Sequence, residues 1–264
     1  MKILRVILLV LSVVFFVLNF TDYNINEDSD PVVISEKFTP SLTRLNSLSK
    51  LVAYTDSLTT LKCIRSATLE YAIEAKNIVS ERFYHKYATQ NLNENWIASV
   101  SQKLTGLYLS SNITADDILK KPYGYCGQQN AVLMQLFERK NIPCRALYLP
   151  HHFVIQGNIN GKWCYFDADG EPNILPQQRS SEKWLCCPDS LAIAYGKDLK
   201  WVNTNFGNPI QIRFGKINEV QGPRAQIFQK ITGPLSKIAF LFPLFWFVHL
   251  TRKNKKSVAT NNTE

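Results

Sequence analysis

The chain has 264 residues, of which 45% are hydrophobic and 19% are charged. This composition is typical of a folded globular protein and excludes an intrinsically disordered chain. The net charge of +9 includes basic residues that flank apolar segments at both ends. We interpret these residues as membrane topology signals, and no nucleic-acid partner is expected.

Residues 1–20 combine a basic start with a long apolar run. The pattern predicts an N-terminal membrane anchor or signal peptide. Residues 19–23 offer no small-residue cleavage site, which favours an uncleaved anchor. The next segment, residues 21–34, is polar, acidic and interrupted by proline, and it predicts a linker that leaves the membrane.

Residues 35–230 are predicted to form one domain, long enough to bury a substantial core. Its first part is helical, because apolar residues recur every three to four positions from Ser41 to Leu109. One apolar stripe runs from Leu58 to Arg82. A further helix is expected through Trp96 and should end near Gly106.

The middle of the chain predicts a helix that begins near Cys126, extends to Lys140 and has one strongly apolar face. Three strand-like runs follow it: residues 145–149, 152–159 and 162–166. The last two are joined by Asn160-Gly161, a strong signal for a tight β-hairpin. A helix that leads into an antiparallel sheet predicts the α+β fold class. Beyond Asp169 the proline-rich sequence indicates mainly loops.

Residues 231–250 are apolar and aromatic, and a basic tail, residues 251–264, follows them. The pattern predicts a C-terminal membrane-associated or transmembrane segment, although Lys237 and Pro243 interrupt it. The alternative is a hydrophobic helix packed on the domain itself. If both terminal segments cross the membrane, their flanking charges place the intervening domain on the extracytoplasmic side.

The chain has six cysteines, and none are spaced as in a zinc ribbon or finger, so neither a metal nor another cofactor is predicted. Cys126 differs from the others because it lies at a predicted helix start, where the helix dipole favours the reactive thiolate. A single free cysteine is more often an inert core residue, so Cys126 alone does not define a site.

The hairpin adds the groups that a reactive thiol needs. A two-residue turn at Asn160-Gly161 puts Val154 opposite Asp167 and His152 opposite Asp169. Because side chains alternate along a strand, His152 and Asp167 lie on one face as diagonal neighbours whose side chains can meet. An imidazole backed by a carboxylate can take the proton of a thiol and return it to a leaving group. Asp169 is the alternative carboxylate.

The chain has four histidines, and the other three are less suitable than His152 as the imidazole beside Cys126. His151 points to the other face of the hairpin, and His249 lies in the C-terminal apolar segment. His85 lies in the helical region and is expected to be solvated. Because adjacent histidines on a strand point to opposite faces, a zinc site of Cys126, His151 and His152 is not favoured.

Three segments resemble the transglutaminase-like superfamily, the bacterial relatives of transglutaminases and papain-type thiol peptidases. Residues 124–131, GYCGQQNA, resemble the nucleophile motif, in which Gly-x-Cys leads into a helix. Residues 141–145, NIPCR, resemble the Gly-Ile-Pro-Ala-Arg turn that follows it. Residues 152–167 resemble the histidine strand, turn and Gly-x-Trp-x-x-x-Asp motif, and His152 and Asp167 fit the family's spacing.

This resemblance implies a papain-like transglutaminase core, with the catalytic cysteine on a helix N-terminus packed on an antiparallel β-sheet. Carried over by position, it makes Cys126 the nucleophile, His152 the general base and acid, and Asp167 the residue that orients the imidazole. The backbone N–H of Cys126 is one candidate oxyanion donor. The second donor stays open among four side chains: Trp96, Gln102, Tyr123 and Tyr125.

These features together predict a membrane-tethered cysteine enzyme that transfers acyl groups through a thioester on a peptide or amide substrate. Hydrolysis, by a peptidase or amidase, is the expected outcome because water is the acceptor unless the site excludes it. The alternative is a catalytically silent binding or scaffolding module of a membrane-associated envelope assembly. The expected partners are a peptide or protein substrate, the membrane and envelope proteins.

Overall fold

The computed structural model describes residues 2–26, 37–180, 185–219 and 221–261. Ten α-helices lie in these ranges: α1 (Lys2–Leu18), α2 (Leu48–Leu61), α3 (Leu69–Arg82), α4 (Leu92–Thr105), α5 (Ala115–Ile118), α6 (Cys126–Arg139), α7 (Pro188–Tyr195), α8 (Leu199–Phe206), α9 (Pro223–Ile238) and α10 (Leu241–Asn261). Four strands form one antiparallel sheet in the order β3-β2-β1-β4: β1 (Cys144–Tyr148), β2 (Phe153–Ile159), β3 (Lys162–Phe166) and β4 (Arg213–Ile217). The predicted α+β class is therefore confirmed.

The chain divides into two compact units. The first consists of Met1–Glu27, Thr89–Ser111 and Gly222–Glu264, and it holds α1, α4, α9 and α10. The second consists of Asp28–Ala88 and Asn112–Gln221, and it holds the sheet with the other six helices. Most of the predicted linker, residues 21–34, and the end of the basic tail lie outside the described residues. The other predicted domain boundaries stay predictions.

Within the first unit, the two ends of the chain pack with its middle segment. Ser12 Oγ of α1 donates a hydrogen bond to the carbonyl oxygen of Phe240, which lies between α9 and α10, at 2.9 Å. Asn95 of α4 donates to Thr232 of α9, also at 2.9 Å. The ring of Trp96 in α4 stacks on Phe15 of α1 with the centroids 4.8 Å apart.

Much of the apolar surface of α1 is exposed, with Ile3 77% and Val6 61% accessible. None of the described helices is by itself both long and apolar enough to cross a membrane. Helix α9 and residues Leu241–Lys253 of α10 meet at a bend of 40° and pass that test only as a pair.

The sheet of the second unit is covered by helices on both faces. Helix α6 packs on one face, where the ring of Phe137 meets Phe166 edge-on with the centroids 5.2 Å apart. Gly157 of β2 allows this approach, because a Cβ atom there would lie 3.0 Å from the Phe137 ring. On the other face, Val154 and Tyr165 join a second core with α7 and α8. Successive residues of β2 therefore belong to different cores.

The β2–β3 hairpin has the register predicted from its turn. Asn160 and Gly161 both have positive φ angles, 50° and 81°, as a two-residue type I′ turn requires. Gln156 pairs with Tyr165, and Ile155 pairs with Phe166. Continued past the strand ends, this register puts His152 and Asp167 on the face covered by α7 and α8.

The sequence pattern located some helices better than others. Helix α4 ends as predicted, with Gly106 in the left-handed conformation at its C-cap. The apolar stripe from Leu58 to Arg82 is divided between α2 and α3, because Cys63 and Ala67 have positive φ and break the helix. The region beyond Asp169, which was expected to be mainly loops, contains α7, α8 and β4.

Candidate active site

Cys126 is the first residue of α6 and is only 7% exposed. Its thiol lies at a helix N-terminus, where the partial positive charge of the helix favours an anion. The side chain of Gln128 secures this helix start: its Oε1 accepts from the N–H of Tyr125 at 3.2 Å and of Ala88 at 2.9 Å. Its Nε2 donates to the carbonyl oxygen of Ala88 at 2.6 Å. The end of α6 that carries Cys126 is thereby tied to the segment that follows α3.

His152 and Asp167 form a buried pair beside Cys126. His152 Nε2 lies 2.6 Å from Asp167 Oδ2, and the two side chains are 6% and 0% exposed. A ring nitrogen of His152 lies within 4.8 Å of Cys126 Sγ. Since Nε2 is bonded to Asp167, Nδ1 is the nitrogen left for the thiol. The structure therefore brings together the three side chains that the sequence singled out.

The charges of this pair shift both pKa values. Burial disfavours the imidazolium, but the Asp167 carboxylate and the hydrogen bonds to Asp167 and Cys126 outweigh it, so the pKa of His152 lies well above its usual value. Burial also disfavours the Asp167 carboxylate, but the charge of His152 and two backbone N–H groups lower the pKa of Asp167 to about 2. The site therefore favours an imidazolium–carboxylate pair near neutral pH.

Asn130 holds the carboxylate from the helix side. Asp167 Oδ1 accepts from the N–H of Asp169 at 3.0 Å and of Gly170 at 3.1 Å, and Asn130 Nδ2 lies 3.3 Å from the same oxygen. Asn130 is four residues after Cys126, so one turn of α6 carries both the thiol and a residue that holds the carboxylate. Sequence reasoning noted Asn130 only as part of the motif and assigned it no role.

An aromatic wall from α7 and α8 completes the surroundings of the pair. The Tyr195 hydroxyl donates to Asp167 Oδ2 at 3.0 Å and is itself hydrogen-bonded to the hydroxyl of Tyr165. Three rings face the imidazole of His152 with centroids 6.2–6.3 Å away: Tyr195, Trp201 and Phe206. Sequence reasoning missed these residues, although apolar side chains recur at helical spacing there, as at Val202 and Phe206.

A second imidazole–carboxylate pair lies close to the thiol. His85 Nδ1 lies 2.7 Å from Asp169 Oδ1, and Gln129 Nε2 donates to the same oxygen at 2.9 Å. The His85 ring also packs on Tyr125, with the centroids 4.3 Å apart. His85 follows α3, which ends at Arg82, so the expectation that it lies on a helix is wrong; its side chain is 34% exposed and is also bonded to Asp169.

Among the described residues, Cys126, His152 and Asp169 form one group whose donor atoms lie within 4.8 Å of one another. Thiolate, imidazole and carboxylate are donors that suit zinc. The same groups also serve thiol chemistry without a metal, so the donor set by itself does not indicate an ion. His151 is exposed at the surface and is not part of this group.

The candidate oxyanion donors differ in where they lie. Trp96 and Gln102 belong to the first unit, where Trp96 Nε1 donates to Ser236 and Gln102 Oε1 accepts from the N–H of Ser110. Tyr125 immediately precedes the thiol and is 43% exposed. Tyr123, Tyr125 and the backbone N–H of Cys126 lie in the second unit and stay candidates for the donors.

All six cysteines are free thiols. Burial raises the pKa of Cys144 to about 12, which makes that thiol unreactive near neutral pH. Cys63 and Cys186 are exposed. Cys126 differs from the buried Cys144 in having an imidazole beside it.

Comparison of the chain with protein-family models, curated proteins and solved structures found no match. The geometry of the site therefore supplies the evidence for function.

Proposed function

We propose that this chain is a membrane-tethered, transglutaminase-like cysteine enzyme that cleaves a peptide or amide bond through a thioester. The observation that carries the proposal is the buried His152–Asp167 pair, with 2.6 Å between Nε2 and Oδ2, beside a thiol at a helix N-terminus. Perturbed, buried ionisable groups of this kind cluster at functional sites. The packing of α6 on the sheet supports a papain-like core in which Cys126 is the nucleophile.

Acylation starts from a Cys126 thiolate and a His152 imidazolium, the thiol proton having moved to Nδ1. The sulfur attacks the carbonyl carbon of the substrate, and the carbonyl electron pair moves to the oxygen, which the backbone N–H of Cys126 stabilises. As the intermediate collapses, the C–N bond breaks and the proton on Nδ1 passes to the leaving amine. Asp167 keeps Nδ1 directed at the sulfur because it holds Nε2–H.

Deacylation reverses the roles of the imidazole. Neutral His152 Nδ1 accepts a proton from water while the water oxygen attacks the thioester carbon. The C–S bond then breaks, which releases the acid and restores the thiolate of Cys126 beside the imidazolium. An amine in place of water would complete a transamidation by the same steps. Hydrolysis is proposed because water is the acceptor unless the site excludes it.

The first unit supports the membrane tether. Many of its exposed apolar side chains lie on α1 and at the start of α10, where Phe242 is 64%, Phe245 68% and Trp246 54% exposed. Apolar surface of this extent is stable when it is covered by lipid or another protein. With basic residues at both chain ends, the tether places the candidate active site on the extracytoplasmic side of the membrane.

The proposal is tested by site-resolved alkylation of the full-length protein with iodoacetamide at pH 6 to 7, quantified by peptide mass spectrometry. Exposed Cys63 is the internal reference in every sample. Cys126 is expected to react faster than Cys63, although it is the more buried thiol. His152→Ala should slow it by about tenfold or more, because the group that holds the thiol proton is lost.

Asp167→Asn should also slow the reaction, because the imidazole loses its orientation and its charge partner. If Cys126 is alkylated more slowly than Cys63, or if its alkylation rate is unchanged in His152→Ala, Cys126 is not an activated thiol. That result would favour the non-catalytic binding module.

A further inference from the structure

A cavity of about 700 Å³ in the second unit adjoins the candidate active site. Gln129 and Asp169 line it, and a carboxylate oxygen of Asp169 lies within 4.8 Å of Cys126 Sγ. Cavities of about 300–1,000 Å³ are typical of small-ligand sites. The cavity therefore shares Asp169 with the candidate active site, although Cys126 does not itself line it.

Cationic side chains outnumber carboxylates around the cavity. Four cations line it: Lys37, Lys76, Arg179 and Lys197. Three carboxylates line it as well: Glu81, Asp169 and Glu171. One of them, Asp169, is already bonded to His85. A ligand in the cavity therefore meets an excess of positive charge.

The two buried cations share a single carboxylate. Lys76 Nζ lies 3.2 Å from Glu171 Oε1, and Arg179 forms an ion pair with the same oxygen. The side chains of Lys76 and Arg179 are only 4% and 5% exposed. Burial lowers the pKa of Lys76, which shows that its charge is held against a desolvation cost. A second anion would offset that cost.

Three buried polar atoms of residues that line the cavity have no hydrogen-bond partner among the described residues: Arg179 Nε, Gln129 Oε1 and Glu171 Oε2. Arg179 and Gln129 are only 5% and 2% exposed, and the side chain of Glu171 is 24% exposed. Arg179 Nε is a donor and suits a carboxylate oxygen, whereas Gln129 Oε1 and Glu171 Oε2 are acceptors and suit amide N–H groups. A peptide with a carboxylate offers both groups.

From these features we infer that the cavity is a substrate subsite for an acidic peptide, which binds the carboxylate of an acidic side chain or a chain terminus. The buried guanidinium of Arg179 and the exposed lysines Lys37 and Lys197 recognise the carboxylate. Gln129 recognises an N–H of the peptide and directs the neighbouring carbonyl towards Cys126. This inference rests on the proposed function and specifies its substrate class.

The acidic-peptide subsite is tested on the full-length protein with three N-acetyl amino-acid α-amides. The glutamate probe is anionic, the glutamine probe is neutral and the lysine probe is cationic. Binding is measured as a rise in the midpoint of thermal unfolding, which requires no reactivity of the thiol. Protection of Cys126 from iodoacetamide, relative to Cys63, reports whether the bound probe lies beside the thiol.

The glutamate probe is expected to bind in preference to the other two and to slow the alkylation of Cys126. Lys37→Gln and Lys197→Gln should each weaken its binding by about two- to fivefold, the range for exposed ion pairs. Lys50→Gln is the matched control, because Lys50 is an exposed lysine of the same unit outside the cavity. These variants avoid the buried cations, whose removal endangers folding.

Equal or tighter binding of the lysine probe would overturn the inference, as would unchanged binding of the glutamate probe in both lysine variants. If the glutamate probe binds as expected while Cys126 proves unreactive, the subsite stands and the proposed function fails. If Cys126 is reactive and the glutamate probe does not bind, the proposed function stands and the acidic-peptide subsite fails.

Discussion

At the scale of single residues, both oxygens of the Asp167 carboxylate are held by several donors. Oδ2 accepts from His152 and Tyr195, and Oδ1 accepts from Asn130 as well as from backbone N–H groups. Neither Asn130 nor Tyr195 is bonded to the thiol in the hydrogen bonds described. They are positioning residues, because each acts on the imidazole through the carboxylate.

The raised pKa of His152 predicts how stability depends on pH. The folded chain binds this proton more tightly than the unfolded chain, so the contribution is fully present below the unfolded value of about 6.5. It is lost as pH rises through the higher folded pKa. The free energy of unfolding should therefore fall above pH 7, by up to about 1.4 kcal/mol per pH unit.

Urea denaturation at a series of pH values measures this slope. In Asp167→Asn the charge that raises the pKa of His152 is removed, so the decline above pH 7 should become shallower than in the parent protein. Equal slopes in the two proteins would show that the pair does not carry the stability assigned to it.

At the scale of elements, the close contact between α6 and the hairpin sets the position of the thiol. The Phe137 ring lies over Gly157 of β2, where a Cβ atom would approach it to 3.0 Å. The start of the same helix carries Cys126, Gln128 and Asn130. Gln128 is bonded to Ala88, and Asn130 is bonded both to the carbonyl oxygen of Cys126 and to Asp167. A shift of α6 on the sheet would therefore displace the thiol from the imidazole.

Gly157→Ala is expected to destabilise the fold by about 1–3 kcal/mol, because the added methyl group overpacks the contact between helix and strand. Urea denaturation measures the loss. Gly127→Ala is the matched control: it lies on α6, and a Cβ atom there meets nothing within 4 Å. A loss in the control as large as in Gly157→Ala would contradict the packing argument.

At the scale of the whole molecule, the candidate site is contained within the second unit, whereas the exposed apolar helices belong to the first. In the proposed function, chemistry and membrane association therefore belong to different parts of the chain. The second unit is assembled from two separate stretches of sequence, Asp28–Ala88 and Asn112–Gln221. His85 comes from the first stretch and Asp169 from the second.

The tether predicts that Trp246 is in contact with lipid. When the full-length protein is reconstituted into vesicles that contain brominated phospholipid, its tryptophan fluorescence should be quenched. Trp246→Phe should remove the larger part of this quenching, whereas Trp163→Phe, on β3 of the second unit, should remove little. Equal effects of the two substitutions would place the start of α10 outside the bilayer.

The features that could be predicted from the sequence alone are set by residues that are close together in the chain. The turn residues Asn160-Gly161 predict the register of the β2–β3 hairpin. Strand alternation then puts His152 and Asp167 on the same face, where their side chains meet. The helix start at Cys126 was likewise predicted from its neighbours. The α+β class followed from the order of these elements.

Contacts between distant elements were decided only by the tertiary structure. The pairing of His85 with Asp169, the hydrogen bond from Tyr195 to Asp167, and the cavity lined by Lys76 and Arg179 join residues that no local pattern relates. The helices α7 and α8 are only eight residues long, and their apolar spacing does not indicate where they pack. The packing of these elements against the sheet is a property of the whole chain, because it depends on apolar surfaces that become complementary only after the elements have formed.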